Sequence, residues 1–502
     1  MTHGSIYIQE GQPPINQRVV SIIAGGRKPA QEPTYAVQET DGYSIASSAT
    51  NNNALGTSMP SALAVSAVPM GENIAYPHVR TLRMRRSIPT SSHELPGQRK
   101  RMLRVDFTSQ DYLRDPAAGL TKLRAAGPVV EVRFPIVGKT WITTTSDLAG
   151  RVLKDSETFT MRRNGRVAGL RWWMPGWLRT LAVRMLTMDE PDHTRLRSIV
   201  DEAFRRRAIL DMEPRIFAIA DELAAQLFGD GNPADLVERY ARRLPLSVIC
   251  ELLGLPHADR PRFIAWTNSL TRLTGMVGFL RMIAGIGPMK RYLEGRLQAA
   301  RDTGGEGLIA ELVRVEKECE RISSQETVAM VFLLLGAGSE TTTHLISGSV
   351  YELTRAPALR DWLEEDWSRA NLAVEEFLRF VSPVQFTKPR FVRKDIELGG
   401  GQLKKGDKIM AMLAAANMDP DANPRPEKLD LARRPNRHLS FGTGIHFCLG
   451  HQLARIEGKC ALEALFKRWP QLELAVPSDS IRWRQRPGLR ALEKLPVAIH
   501  QQ

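Results

Sequence analysis

A single cysteine between glycines, at the point where a helix begins, constrains this chain more than any other feature. The segment HLSFGTGIHFCLGHQLARIEGKCALEALF places Cys448 after Gly442 and Gly444 and before Gly450, and an amphipathic helical pattern follows at once. Glycines allow a tight loop and a close backbone approach to a flat ligand. The free amide groups and the dipole at a helix start lower the pKa of a thiol. We therefore predict a thiolate at Cys448.

Two uses of this thiolate are open from the residues alone. A nucleophile needs a base, and His446 lies close enough in sequence to serve as one. A metal ligand needs no base. The neighbours of the cysteine are apolar and suit a lone thiolate presented to a large apolar cofactor; they are Phe441, Ile445, Phe447 and Leu449.

Hydrophobic periodicity predicts a mainly α domain with small β-sheets. From Val105 onward the helical pattern recurs in segments such as TRLRSIVDEAFRRRAI and NLAVEEFLRFV. VVEVRF and TWITTT flank PIVGK and predict a hairpin, and two further β-rich pieces surround GGGQLKKGD. We predict one domain over residues 105–502. Residues 1–104 are rich in Gly, Pro, Ser and Asn, so we expect a disordered, basic extension or a start codon placed too early.

Composition excludes several classes of protein. Only four cysteines occur and none form a CxxC pair, so we expect neither a disulfide framework nor a cysteine-rich zinc site. The 69 basic against 55 acidic residues give a net charge of +14, but the excess is spread along the chain, so we do not expect nucleic-acid binding. No apolar run reaches the ~20 residues of a membrane span. We expect a cytoplasmic protein without a transmembrane segment.

The ten residues FGTGIHFCLG resemble the haem-binding signature of the cytochromes P450. This resemblance implies the cytochrome P450 fold, with haem between the long central helix and the helix that follows the Cys loop. It implies that Cys448 ligates the iron of haem b and that thiolate ligation favours O–O cleavage. Phe441 would pack beside the sulfur, His446 would meet a haem propionate, and Gly450 would belong to the cofactor loop.

A polar island, GAGSETTTH at residues 336–344, interrupts an otherwise apolar helix. Polar groups inside a buried helix need a reason. One explanation is that threonine hydroxyls bond back to the preceding turn and bend the helix. The resemblance offers another, since AGSETT matches the family's oxygen-activation motif. Glu340 and Thr341 would then be the acid–alcohol pair that delivers protons to dioxygen, and Gly338 would open the helix for that oxygen.

The segment EEFLRF carries Glu376 and Arg379 three residues apart, on one helix face. Alone, such a pair is common on protein surfaces and contributes little. It matches the ExxR pair of the cytochromes P450, and Arg433 matches the third member. The resemblance gives these three residues a structural role, which is to hold the segment that leads to the cysteine.

Propionate contacts are implied for three further residues. His193 and Arg197 share a helix face in PDHTRLR, and Arg390 lies in PRFVRKD. Charge-assisted hydrogen bonds to carboxylates explain these residue types. His438 could join them. The resemblance does not extend to residues 166–188, where Trp172, Trp173 and Trp177 could line an access route, touch a membrane surface or pack in the core.

We therefore expect a soluble haem-thiolate monooxygenase of bacterial type, which inserts one atom of O2 into a hydrophobic organic substrate. A flavin or nicotinamide fingerprint is missing, so a ferredoxin and its reductase would supply electrons. Arg205–Arg207 and the helix that carries Arg455 are candidates for a basic docking surface. The alternatives are a peroxide-driven peroxygenase, in which the acid–alcohol pair is typically replaced, and a non-enzymatic haem-binding sensor.

Overall fold

The computed structural model describes residues 105–134, 137–163, 166–167, 188–206, 209–271, 275–319 and 322–499, together with four short strands before residue 40. The chain divides into two units, Met1–Pro96 and Gly97–Gln502. In the first, β1 (Ser5–Tyr7) pairs with β2 (Val19–Ser21), and β3 (Ile23–Ala24) pairs with β4 (Tyr35–Ala36), both antiparallel. Apart from these four strands, residues 1–104 lie outside the described residues, so their predicted disorder stays a prediction. The three tryptophans in residues 166–188 also lie outside the described residues, and their role stays a prediction.

The described part of Gly97–Gln502 is mainly helical, as predicted. Its α-helices are α1 (Gln110–Arg114), α2 (Ala117–Ala126), α3 (Ser146–Lys154), α4 (Asp192–Arg206), α5 (Glu213–Ala225), α6 (Arg243–Leu253), α7 (Arg260–Thr271), α8 (Gly275–Thr303), α9 (Leu308–Cys319), α10 (Ser324–Arg355), α11 (Pro357–Glu364), α12 (Ala370–Val381), α13 (Leu413–Asn417) and α14 (His451–Arg468). Shorter helical turns are the π-helix Val237–Ala241 and the 3₁₀ segments Ile209–Met212, His257–Asp259, Trp367–Arg369, Gly444–His446 and Ser478–Ser480.

Small sheets flank the helices. The strands are β5 (Val129–Phe134), β6 (Gly138–Thr143), β7 (Phe159–Thr160), β8 (Arg162–Arg163), β9 (Arg166–Val167), β10 (Ala234–Asp235), β11 (Arg390–Val392), β12 (Ile396–Leu398), β13 (Gly401–Leu403), β14 (Lys408–Met410), β15 (Glu473–Leu474) and β16 (Pro496–Ala498). The largest sheet has the order β5-β6-β14-β11-β7, and a three-stranded sheet has the order β10-β16-β15. β5 and β6 form the predicted antiparallel hairpin.

The long helix α10 runs through the core. Its start is fixed by a capping box, in which the Ser323 hydroxyl accepts a bond from the Glu326 amide and the Glu326 carboxylate accepts one from the Ser323 amide. Residues Glu326–Arg355 have the length and mean hydropathy of a membrane span. However, 61% of the most apolar 18-residue stretch of this helix is buried within the protein. A buried central helix passes the same test, and burial against its neighbours explains the apolar composition here.

Candidate active site

The loop that presents Cys448 is built from backbone hydrogen bonds and two glycines with positive φ. The Cys448 amide donates to the Phe441 carbonyl at 3.0 Å, which closes the loop just before α14 begins. Gly442 and Gly444 have φ of 67° and 74°. A Cβ on Gly444 would lie 2.5 Å from the Leu153 carbonyl oxygen at the end of α3, so only glycine fits there. The predicted position of Cys448 at a helix start is thus what the fold provides.

The environment of the Cys448 thiol differs from the sequence prediction in one respect. Burial raises its pKa above the ordinary value, and this effect outweighs three lowering effects: a backbone bond at Gly450 and the charges of Arg197 and Arg455. The predicted lowering by the helix start is therefore present but is not the larger effect. Such a thiol becomes a thiolate when a metal ion replaces its proton, which favours the ligand over the nucleophile.

Histidine and arginine side chains cluster beside this loop, and the propionate contacts predicted for His193, Arg197, Arg390 and His446 stay predictions. The two imidazole rings lie 4.3 Å apart between centroids, close to edge-on. Burial, then the neighbouring His193 and the charges of Arg390 and Arg197, lower the pKa of His446 to about 3 against the charge of Asp189, so His446 is neutral. His193 Nδ1 and His446 Nε2 are buried without a hydrogen-bond partner among the described residues.

Arg390 and Arg197 complete this basic cluster in different ways. Arg390 is only 3% exposed, and burial lowers its pKa while Asp189 opposes the change. Arg197 connects α4 to the Cys loop: its Nη1 donates to the Phe447 carbonyl at 2.7 Å, and its Nε lies 3.0 Å from the Asp201 carboxylate. Buried cations and unpartnered ring nitrogens at one place fit a ligand that carries carboxylates.

The polar island of α10 shows the hydroxyl pattern expected from the simpler explanation. The Thr341 hydroxyl donates to the Ala337 carbonyl at 2.8 Å, and Ser339 and Thr343 make the same bond to the preceding turn. Glu340 instead forms an ion pair at 2.6 Å with Arg486, whose side chain is 47% exposed. A donating hydroxyl keeps its oxygen lone pairs available, so this bond is compatible with an acid–alcohol pair as well.

Gly338 has a packing reason in addition to the role that the resemblance implies. A Cβ at Gly338 would lie 3.2 Å from Ile249 Cδ1 of α6, which is tighter than ordinary contact. Gly450 caps α14, and a Cβ there would meet no atom within 4 Å. Space alone therefore constrains Gly338 more than Gly450.

Glu376, Arg379 and Arg433, which the resemblance brings together, form a buried network. Arg379 binds the Glu376 carboxylate through Nη2 at 2.7 Å and Nε at 2.8 Å, and Arg433 Nε binds it at 3.0 Å. Neither member of the Glu376–Arg379 pair has an exposed side chain. The other guanidinium nitrogens of these two arginines donate to backbone carbonyls: Arg379 Nη1 to that of Pro426 and Arg433 Nη1 to that of Pro424, both at 2.7 Å. The network thus holds the irregular segment that leads into the Cys loop.

His438 does not join the basic cluster. Its Nε2 lies 2.9 Å from a carboxylate oxygen of Glu375, on α12. Its Nδ1 accepts a bond from the Ser440 amide at 3.3 Å, so the hydrogen-bond pattern assigns the proton to Nε2. His438 therefore binds a carboxylate of the protein itself, and the structure does not place it with the candidate propionate ligands.

Two buried groups escaped the sequence analysis. Glu457 on α14 is 2% exposed, and burial raises its pKa to about 8, against a hydrogen bond from Thr342 that lowers it. His344 on α10 is equally buried, and burial lowers its pKa well below the ordinary value. The spacing of Glu457 from buried Leu453 and Cys460 placed it on the apolar face of α14, and that signal could have found it.

Comparison with known proteins identifies the family. The cytochrome P450 family profile matches residues 289–480. The chain is 39% identical over 395 residues to vitamin D(3) 25-hydroxylase of Pseudonocardia autotrophica, an alignment that covers 78% of this chain and 96% of that protein. The chain belongs to the cytochrome P450 family, whose members bind haem b through a cysteine thiolate. It is accordingly an oxidoreductase of the monooxygenase class.

Solved structures agree with this assignment. The cytochrome P450 PksS of the bacillaene polyketide synthase from Bacillus subtilis 168 matches with a TM-score of 0.71 and 34% identity, over 79% of this chain and all (100%) of that one. A myxobacterial cytochrome P450 in complex with myristic acid matches with a TM-score of 0.70 and 36% identity, over 79% of this chain and 99% of that one. The predicted cytochrome P450 fold is confirmed.

Proposed function

We propose that this protein inserts one atom of O2 into a hydrophobic organic substrate and that Cys448 would ligate the iron of its haem. The balanced reaction takes a C–H bond, O2, two electrons and two protons to an alcohol and water. The observation that carries the proposal is the combination of a lone thiol on a glycine loop with an intact Glu340–Thr341 pair on the central helix. A sensor needs no such pair, and a peroxide-driven enzyme typically lacks it.

The basic cluster supports haem binding at this place. His193, His446 and Arg390 would hold the propionates, with Arg197 fixing the loop beside them. The buried ring nitrogens His193 Nδ1 and His446 Nε2, which have no partner among the described residues, would gain charge-assisted hydrogen bonds when two carboxylates arrive. Phe441 would pack on the sulfur side, where its backbone carbonyl already accepts the Cys448 amide. The network of Glu376 would act on haem retention rather than on chemistry.

Proton delivery is the proposed role of Glu340 and Thr341. Bound haem supplies the activation of O2 and the oxidation of the substrate. The Thr341 hydroxyl, anchored on the Ala337 carbonyl, is oriented to hold a water molecule through its lone pairs. Glu340 is 15% exposed and paired with the half-exposed Arg486, so it links the helix interior to solvent. A carboxylate in this position can carry protons inward.

The electron donor is proposed to be a ferredoxin with its reductase, in the cytoplasm. The net charge of +14 supports an acidic partner. The charge of Arg455 is paired with Glu375, so a docking surface would draw on other basic residues. The side chains of Arg205–Arg207 lie outside the described residues. The relatives, one named vitamin D(3) 25-hydroxylase and one solved with myristic acid, support a hydrophobic substrate for this chain and no narrower class.

Two measurements test the proposal. The reduced carbon monoxide complex of the holoenzyme should show the thiolate-type Soret band, and Cys448→Ser should lose it. With a surrogate ferredoxin system, substrate should stimulate NAD(P)H consumption and give a product with one added oxygen. Product formed only with peroxide would favour the peroxygenase. Haem binding without turnover in either assay would favour the sensor.

A panel of apolar ligands would then narrow the substrate. Fatty acids, terpenoids, steroids and polyketides are compared by the low-to-high-spin shift of the Soret band on titration. The ligand with the largest shift at the lowest concentration is tested for turnover. Absence of a shift with every class would contradict a hydrophobic substrate.

A further inference from the structure

A second glutamate on α12 contacts both sides of the Cys loop. Glu375 precedes Glu376 but binds different partners. Arg455 of α14 bonds both of its carboxylate oxygens, through Nε and, at 2.9 Å, through Nη2. His438, in the segment before the cysteine, lies 2.9 Å from the same carboxylate. One carboxylate thus joins the chain that enters the Cys loop to the helix that leaves it.

Arg455 is packed directly against this loop. Its guanidinium carbon lies 4.6 Å from the centroid of the Phe441 ring, a cation–π arrangement. Its Nη1 lies 2.9 Å from Nδ1 of His451, at the start of α14. Phe441 is the residue whose carbonyl accepts the Cys448 amide. Arg455 therefore contacts Phe441, and Phe441 is in turn hydrogen-bonded to Cys448.

The pair places a positive charge against the Cys loop. The Arg455 guanidinium that stacks on Phe441 is positive, and a positive charge near the sulfur stabilises its thiolate. Burial raises the pKa of Glu375, but hydrogen bonds from Arg455 and His438 and the charge of Arg455 lower it to about 2. Glu375 is therefore ionised at neutral pH. Its negative charge offsets that of Arg455 beside the cysteine.

We propose that Glu375 is a positioning residue for the Cys loop and the counter-charge of Arg455 beside the Cys448 thiolate, and that it lowers the reduction potential of the bound iron. The inference rests on the proposed haem-thiolate function. A positive charge near a metal favours its reduced form, because reduction adds an electron. Loss of the carboxylate alone leaves Arg455 uncompensated and raises the potential. Loss of both charges restores the balance.

The test is the reduction potential of the holoenzyme, measured by spectroscopic redox titration. Glu375→Gln should shift the reduction equilibrium toward the reduced iron on the order of tenfold, which is ~59 mV for a one-electron couple. The double variant Glu375→Gln with Arg455→Gln should return toward the wild-type potential, and Glu375→Asp should stay near it. A purely structural contact would not give this reversal.

The matched control is Asp221→Asn. Asp221 binds Arg468 of the same helix α14 with two oxygens, at 2.8 and 2.9 Å, at the end far from Cys448 in sequence. The control removes the same kind of pair and should leave the potential unchanged. An equal shift in this control would overturn the inference, because the effect would then not depend on the Cys loop.

The remaining outcomes are also decisive. An unchanged potential in Glu375→Gln, with a thiolate-type carbon monoxide spectrum, overturns the inference and leaves the proposed function intact. A wild-type enzyme without that spectrum overturns the proposed function and this inference together. If Glu375→Gln does not retain haem, retention in the double variant supports the counter-charge. Loss in both variants contradicts it.

Discussion

Replacement of Glu457 by glutamine should stabilise the protein more strongly as the pH rises. The Glu457 carboxyl is 2% exposed, and its pKa is raised from 4.5 to about 8. In the unfolded chain it ionises near pH 4.5, whereas in the folded protein it keeps its proton up to about pH 8. Folding therefore takes up a proton between these values, and the native state loses stability as the pH rises.

The size of the effect follows from proton linkage. Between about pH 5 and 8 the native state loses a little over 1 kcal/mol, about 2.303RT, for each pH unit. Over the whole window the sum approaches roughly 5 kcal/mol, as an order of magnitude. Glutamine has a similar shape and does not ionise. The stability of Glu457→Gln minus that of wild type should therefore rise across the window and level off above pH 8.

The assay is the free energy of unfolding of the holoenzyme, from urea titrations followed by tryptophan fluorescence at half-unit pH steps. Other titrating groups are present in both proteins and cancel in the difference. Thr342→Val removes the hydrogen bond that lowers the pKa of Glu457, so it should move the plateau to higher pH. A difference that does not change between pH 5 and 8 would refute the reasoning, because Glu457 would then ionise alike in both states.

Three further variants test other parts of the site. Glu376→Gln leaves two buried arginines uncompensated and should cost about 3–5 kcal/mol of unfolding free energy, measured by urea titration; a loss below about 1 kcal/mol would contradict the buried network. Arg390→Gln should speed haem transfer to an acceptor globin, while the exposed Arg393→Gln should not; equal transfer rates would argue against propionate binding. Thr341→Val should lower the product formed per NAD(P)H consumed, and Thr341→Ser should restore it; unchanged coupling in the valine variant would remove Thr341 from proton delivery.

Features carried by neighbouring residues could be predicted from the sequence. The position of Cys448 at a helix start and the β5–β6 hairpin depend on local glycines and on alternation, and the structure has both. The Glu376–Arg379 pair follows from helix spacing. The hydrogen bonds that Arg379 donates to backbone carbonyls of the segment around Pro426 are tertiary contacts, which spacing does not specify.

Other features depend on what the fold places nearby. Glu375 and Glu376 are adjacent and chemically identical, yet one binds Arg455 and the other Arg379, and only the packing of α12 decides which. The net pKa direction at Cys448 required the extent of burial, which a helix-start argument omits. The neutral state of Glu457 likewise depends on how closely α10 packs against α14.

The two adjacent glutamates of α12 also limit where this gene can change in length. Neighbouring side chains on a helix point ~100° apart, so one rigid helix binds the chain at Arg433, at His438 and again at Arg455. The stretch between the first and last of these points is held at both ends and again at His438. An inserted residue in this stretch would displace at least one of these contacts. We expect insertions in residues 433–455 to abolish haem incorporation, whereas the exposed turn at Gly399–Gly400 should accept them.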